Sequence, residues 1–153
     1  MKHLIRHTIG CASEAEIAGH LLLCDSAFVP PLSSRVDIAR YAHKIFSNAQ
    51  CFEAWAEEKL IGLVAVYCQN LETETAFITN VSVLPNWQSA GVATQLMNRC
   101  REQIFGAGFR KIALQVNHHN RIAFSFYEKH GFAAVGENNG TLNMILGFER
   151  NGQ

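Results

Sequence analysis

Val81-Ser82-Val83-Leu84-Pro85-Asn86-Trp87-Gln88-Ser89-Ala90-Gly91-Val92-Ala93-Thr94 reads as a β-rich run, a Pro-Asn turn, a loop of small residues and the start of an amphipathic helix. A strand that passes through such a loop into a helix is expected to cradle a diphosphate. The spacing of Gln88, Gly91 and Ala93 lets consecutive main-chain N–H groups near the helix N-terminus face one anion, where the helix dipole also favours negative charge. Small residues at Gly91 and Ala93 allow a phosphate to come close to the backbone. A glycine-containing loop alone says little, and its position after a strand and before a helix gives it value.

Working outward, the 153-residue chain has the length of a single domain, read here as residues 1–153 with a substantial core. Lys plus Arg and Asp plus Glu both number 13, so the formal charge is zero and no block of like charge exists to attract nucleic acid or an anionic membrane. Apolar runs such as Leu60 to Cys68 are too short to span a bilayer, and the N-terminus lacks a signal-peptide core. A soluble, cytoplasmic protein is expected. Cys11, Cys24, Cys51, Cys68 and Cys100 include no Cys-x-x-Cys pair and read as reduced thiols. His118 and His119 are adjacent but have no second ligand cluster, so no metal centre is expected.

Elements alternate along the chain. Lys2 to Ile9 reads as a first strand ended by Gly10. Ser13 and Glu16 form a capping box that opens a helix through Ile17, Leu21 and Leu22 to about Ser26. Val29-Pro30-Pro31-Leu32 must leave helical geometry. Ser34 with Asp37 is expected to open a second helix through Ile38, Tyr41 and Ile45. Cys51 to Ala56 and Leu60 to Tyr67 then read as a hairpin, and Thr75 to Leu84 as a third strand of this group. Val92, Leu96, Cys100 and Ile104 fall on one helical stripe, ended by Gly106 to Gly108. Lys111 to Val116 is a strand and Arg121 to His130 a helix stopped by Gly131; two closing strands flank the Asn139-Gly140 turn. The order β α α β β β α β α β β argues for a mixed α/β domain, a mostly antiparallel sheet with helices on both faces.

The order of elements, the Gln88-x-x-Gly91-x-Ala93 loop, and the run Asn120-x-x-Ala123-x-x-x-Tyr127-Glu128-Lys129-x-Gly131-Phe132 together resemble the GNAT superfamily of acetyl-CoA-dependent N-acetyltransferases. The resemblance is strongest from Phe77 to Phe132 and weak before Glu53. Gln88 stands where the family often has Arg, and Ala93 where it often has Gly. It implies acetyl-CoA as co-substrate, held by the loop Gln88, Ser89, Ala90, Gly91, Val92, Ala93 and Thr94 and by the strand Val81, Ser82, Val83. The strand Val81 to Val83 would splay from Leu114 to Val116, with the pantetheine arm lying in the gap against main-chain groups of Val81 and Val83. An N–H of the same strand would meet the thioester carbonyl.

Tyr127 matches the family position of the acid that protonates the departing thiolate, and a phenol remains a donor at neutral pH. Taken alone, it is also an aromatic packing its ring with its hydroxyl at the surface. Asn120 either orients the cofactor or caps the helix, and these roles are compatible. For the base, Phe77 to Val83 offers no carboxylate, and Asn80 cannot take a proton. Glu53, a carboxylate between Phe52 and Trp55, is a candidate catalytic base or a solvated edge position. A water relay and His118 are further options. In the family the acceptor meets the first two helices and their loop, here Phe28 to Arg35 with Tyr41. Arg35 is either a clamp for an acceptor anion or a surface residue. Neutral charge leans towards a small amine or amino-acid-like acceptor. No cysteine is expected beside a histidine at the splay, which leaves a covalent route without a nucleophile. A non-catalytic acyl-CoA-binding module on the same fold is the alternative, against which Tyr127 and Asn120 speak. A flavodoxin-like phosphate-binding protein fits the consecutive strands poorly. The apolar strand from Leu142 to Phe148 either pairs across a homodimer axis or closes the sheet.

Overall fold

Apolar runs in the middle of the chain become the middle of a sheet, and the segments around them become its cover. The computed structural model describes residues 4–68 and 71–148. In chain order the elements are β1 (Ile5–Ile9), α1 (Glu14–Cys24), α2 (Ile38–Asn48), β2 (Gln50–Ala56), β3 (Lys59–Tyr67), β4 (Thr75–Val83), α3 (Val92–Gly106), β5 (Lys111–Asn117), α4 (Arg121–Lys129), β6 (Ala133–Asn138) and β7 (Thr141–Gly147). The strands form one sheet in the order β1-β2-β3-β4-β5-β7-β6, antiparallel throughout except for the parallel pair β4–β5.

β2 and β3 are buried on both faces because helices cover each side. On one side Ile17, Leu21, Ile38, Ala42 and Ile45 of α1 and α2 pack on Cys51, Trp55, Leu63 and Ala65. On the other, Leu96, Met97, Cys100 and Ile104 of α3 share a core with Phe52, Ile61, Val64 and Ile112. Each fully buried Leu, Ile or Phe contributes about 1.5–3 kcal/mol.

Two local features shape the site. Val66 pairs with Ile78 while Ala65 pairs with Asn80, so Thr79 is an extra residue in β4. This bulge changes the parity of the strand. Ala76 and Ile78 before it, and Val83 with Val81 after it, belong to the α3 side, which turns Asn80 and Ser82 towards α1. The Tyr41 hydroxyl holds the bulge, donating to the Thr79 carbonyl at 2.7 Å. The second feature is Gly62, where an added Cβ would sit 2.7 Å from Val92 Cγ1 and 3.0 Å from Leu96 Cδ1. Absence of a side chain there lets the first turn of α3 rest directly on β3.

The element order agrees with the sequence reading, and the differences lie at ends. Residues 1–3, where the first strand was expected to begin, lie outside the described residues. α1 gives way at Asp25 to a 3-10 turn, Asp25–Ala27, short of Ser26. Asp37 caps α2 by accepting from Arg40 N, whereas Ser34 lies in a separate 3-10 turn with its hydroxyl donating to the Pro31 carbonyl. Asp37 has the extended backbone that a cap requires, and Ser34 does not reach the helix. β7 sits between β5 and β6 with both edges paired, so it closes the chain's own sheet, and the free edge on this side is β6. Among the described residues no helix is long and apolar enough to cross a membrane.

Candidate active site

β4 and β5 pair only from Thr75 to Phe77 with Lys111 to Ala113. Beyond that point β5 turns its other edge to β7 as far as Asn117, and β4 continues alone to Val83, leaving a gap between the two strands. Leu84 N donates to Ile61 O at 2.8 Å, and Ser82 and Asn80 share that phase of the ladder. Alternation therefore turns the main-chain groups of Val81 and Val83 into the gap. The Gln88 side chain reaches back to donate to Val83 O at 3.3 Å, which engages that carbonyl.

At the mouth of the gap a 3-10 turn, Pro85–Trp87, leads to Gly91, whose φ of 78° suits glycine, and then to α3. The first helical bond is Gln95 N to Gly91 O. No described residue accepts from the N–H groups of Ser89, Gly91, Val92, Ala93 or Thr94, and no side chain caps the helix. The donors of this helix end thus have no partner among the described residues at the mouth of the gap, the chemistry that a diphosphate requires.

A cleft of about 790 Å³ runs through this region. It is lined by Phe28, Arg35, Tyr41, Asn80, Val81, Ser82, Val83, Gln88, Ala93, Asn120 and Tyr127, among others. The cleft therefore brings together most of the residues that the sequence singled out. Ser89, Ala90, Gly91, Val92 and Thr94 are outside its lining residues and flank Gln88 and Ala93 in the loop and first turn of α3. A hollow of about 960 Å³ between α3 and β7, lined by Arg101, Phe105 and Phe148, lies away from the gap.

Tyr127 projects from α4 with its ring edge-on to Phe126 and Phe132. Its hydroxyl makes no hydrogen bond to a described residue, and burial pushes its pKa above the usual range, so it holds its proton. Asn120 caps α4 by accepting from Ala123 N at 3.1 Å, which fixes the helix that carries Tyr127. Arg35 is the one charged side chain among the lining residues, and its guanidinium has no ion-pair partner among the described residues.

Glu53 is a correction. Its side chain is 1% exposed and belongs to none of the cleft walls. Oε1 accepts from Thr8 Oγ1 at 2.6 Å and Cys11 N at 2.8 Å, and Oε2 accepts from Ala12 N at 2.9 Å. The carboxylate is neither a solvated edge position nor a base at the cleft; it ties the segment before α1 to β2. His118 likewise packs against the Gly140 turn, with its ring 3.9 Å from that of His119. Among the described residues no three His, Cys, Asp or Glu side chains converge on a metal site.

The expectation that no cysteine lies beside a histidine here is also overturned. Cys24 lines the cleft with Sγ 3.7 Å from His20 Nε2. His20, 2% exposed, places Nδ1 2.9 Å from Leu60 O and Nε2 2.9 Å from Ser82 Oγ, which is 2.7 Å from the Asn80 carboxamide. Burial lowers the His20 pKa to about 4 and raises that of Cys24 to about 11, so neither group is charged at neutral pH and the thiol is a poor nucleophile. The i, i+4 spacing of His20 and Cys24 on one helix face was the available signal for this cluster.

A model of the Acetyltransferase (GNAT) family matches residues 15–132 of the chain. The chain belongs to the GNAT acetyltransferase family. Among curated proteins, none matches it at the sequence level. GNAT structures share its architecture at low identity. The PaiA N-acetyltransferase of Thermoplasma acidophilum, in complex with coenzyme A, superposes with a TM-score of 0.73 at 15% identity, over 94% of this chain and 99% of that one. The ribosomal-protein-S18-alanine N-acetyltransferase of Escherichia coli gives 0.74 at 18% identity, with 97% of each chain covered. An acetyltransferase of Bacillus subtilis in complex with CoA gives 0.73 at 20% identity, over 95% of this chain and all of that one. At these identities the likeness establishes the fold, a mixed α/β sheet with helices on both faces.

Proposed function

We propose that this GNAT domain transfers the acetyl group of acetyl-CoA to a primary amine on a small, amino-acid-like acceptor, by direct attack within a ternary complex. The observation that carries this reading is the β4–β5 gap, with unsatisfied main-chain donors at its mouth and a protonated phenol in its wall. The N–H groups of Gly91 to Thr94 would hold the diphosphate, and Val81 would align the pantetheine arm. Acetyl-CoA supplies an activated acyl group.

Tyr127 serves as the acid. Its proton stabilises the leaving sulfur, and its hydroxyl has no competing partner among the described residues. Phe28, Val29 and Pro30 from the stiff loop after α1 give the acceptor side an apolar wall, and Arg35 adds a single cation. An acceptor with an apolar body and a carboxylate suits that combination, since the guanidinium fork matches a carboxylate. A second cationic group would find no carboxylate among the lining residues. Five free thiols suit a reducing, cytoplasmic setting.

The test is acetyl-CoA turnover against a panel of amines, with Tyr127→Phe alongside. The variant is expected to lower kcat by about 100-fold while leaving CoA affinity within about twofold. Binding of CoA without turnover on any amine would leave a binding module and reject transfer. Full turnover in the variant would remove Tyr127 from the chemistry.

A further inference from the structure

An amine that attacks a thioester must lose a proton, and no carboxylate or imidazole belongs to the cleft lining. The nearest basic lone pair lies one hydrogen bond behind the wall. Ser82 lines the cleft, and His20 Nε2 sits 2.9 Å from its Oγ on the α1 side of β4. We propose that Ser82 and His20 form a proton relay, in which the Ser82 hydroxyl accepts the acceptor amine's proton while passing its own to His20 Nε2. The proposal rests on the acetyl-transfer reading and deepens it.

The direction of the relay follows from its anchors. His20 Nδ1 is 2.9 Å from Leu60 O, and a carbonyl can only accept, so Nδ1 carries the hydrogen. In the neutral ring Nε2 is then an acceptor, within reach of the Ser82 hydroxyl at 2.9 Å. Ser82 has one hydroxyl proton and also lies 2.7 Å from the Asn80 carboxamide. There the Ser82 hydroxyl donates to Asn80 Oδ1, and rotation about its Cβ–Oγ bond turns the same proton to His20 Nε2. The Ser82 proton thus has a path to His20 Nε2, while the Nδ1 hydrogen stays on Leu60 O. Burial keeps His20 neutral and ready to accept, with its pKa at about 4.

The transfer balances. As the amine nitrogen bonds to the acetyl carbon it becomes cationic beside an electron-poor centre, which makes its proton far more acidic than that of a free ammonium and allows a weak base to take it. That proton moves to Ser82 Oγ as the Ser82 proton moves to His20 Nε2. The C–S bond breaks, and Tyr127 gives its proton to the sulfur. His20 then releases its proton through Ser82 to solvent and the Tyr127 phenolate takes one from solvent, so one proton leaves nitrogen and one arrives at sulfur. Ser82 touches the reacting amine; His20 acts through it.

Asn80 and Ser82 lie on the side of β4 opposite the core that holds Tyr127, an arrangement set by the Thr79 bulge. Base and acid therefore approach the gap from opposite faces of the sheet.

The experiment combines kinetics with heteronuclear NMR. Ser82→Ala and His20→Gln are expected to lower kcat by about 10–100-fold with the acetyl-CoA KM within about twofold, whereas Ser82→Thr, which keeps the hydroxyl, stays within about fivefold of wild type. The solvent isotope effect on kcat should show two protons in motion in the wild type and one in Ser82→Ala, a difference that a merely structural residue does not produce. In the free protein at pH 7 the His20 ring should carry its hydrogen on Nδ1, with an unprotonated Nε2 whose nitrogen shift moves in Ser82→Ala. A protonated Nε2 at that pH, or full kcat in Ser82→Ala, overturns the relay alone. A wild-type protein that acetylates no amine overturns the transfer reading and the relay with it.

Discussion

The N–H groups of Cys11 and Ala12 and those of Gly91 to Thr94 both lie at the entry to a helix, yet they end differently. The first pair is closed by Glu53, a carboxylate from the chain itself. The second set ends on no described residue. One helix entry has its anion from the fold, and the other has donors without a partner among the described residues, which the proposed reading assigns to the diphosphate. A charged group in an apolar strand is thus weak evidence of catalysis when main-chain donors surround it, while a small-residue loop without a cap is good evidence of binding.

Removing the internal anion gives the largest expected effect. Glu53→Ala leaves the buried Ala12 N–H and the part-buried Cys11 N–H without their carboxylate and should destabilise the fold by about 3 kcal/mol in chemical denaturation. Turnover per folded molecule should change by less than about twofold. A stable Glu53→Ala protein with kcat lowered 100-fold would reverse the comparison and return Glu53 to the chemistry.

His20 gives a second case of a polar group closed on the protein, and pH reads it. Its folded pKa, at about 4, lies below the unfolded value of 6.5, because burial disfavours the cation. The unfolded chain therefore binds the extra proton between these values. The stability due to neutral His20 is complete above pH 6.5 and is lost as pH falls towards 4, with a slope of up to about 1.4 kcal/mol per pH unit. Urea midpoints across this range should lose that slope in His20→Gln.

The smallest effect is the most diagnostic. Thr94 stands at the third helical position after the Gly91 cap, from which a carboxylate can reach the open N–H groups. Thr94→Glu would make the second entry resemble the first. Stability should rise by about 0.3–1 kcal/mol while CoA binds about tenfold more weakly. A variant that gains stability and keeps full CoA affinity would place the diphosphate elsewhere.

Much of this molecule was legible in its sequence. The helices announced themselves by the cap at Ser13 and by the Leu96, Cys100, Ile104 stripe, though the second helix starts at Asp37 rather than Ser34, and the strands by apolar runs whose two buried faces need helices on both sides. The small-residue loop, Asn120 and Tyr127 were singled out by their motifs, and the fold brings Gln88, Ala93, Asn120 and Tyr127 to one cleft. The His20–Ser82–Asn80 cluster was not, since it joins α1 to β4 across 62 residues of chain and depends on a one-residue bulge at Thr79 that alternation does not foretell. Glu53 misled for a related reason. An isolated acid in a strand looks the same whether its donors come from substrate or from a loop 41 residues away, and only the fold distinguishes the two.

The measurement that bears most directly on the central claim is a CoA titration followed through the backbone amide resonances. The largest shifts should fall on Gly91, Val92, Ala93 and Thr94 and on Val81, with Cys11 and Ala12 unmoved. Saturation without change at Gly91 to Thr94, or no binding at millimolar CoA, would contradict it.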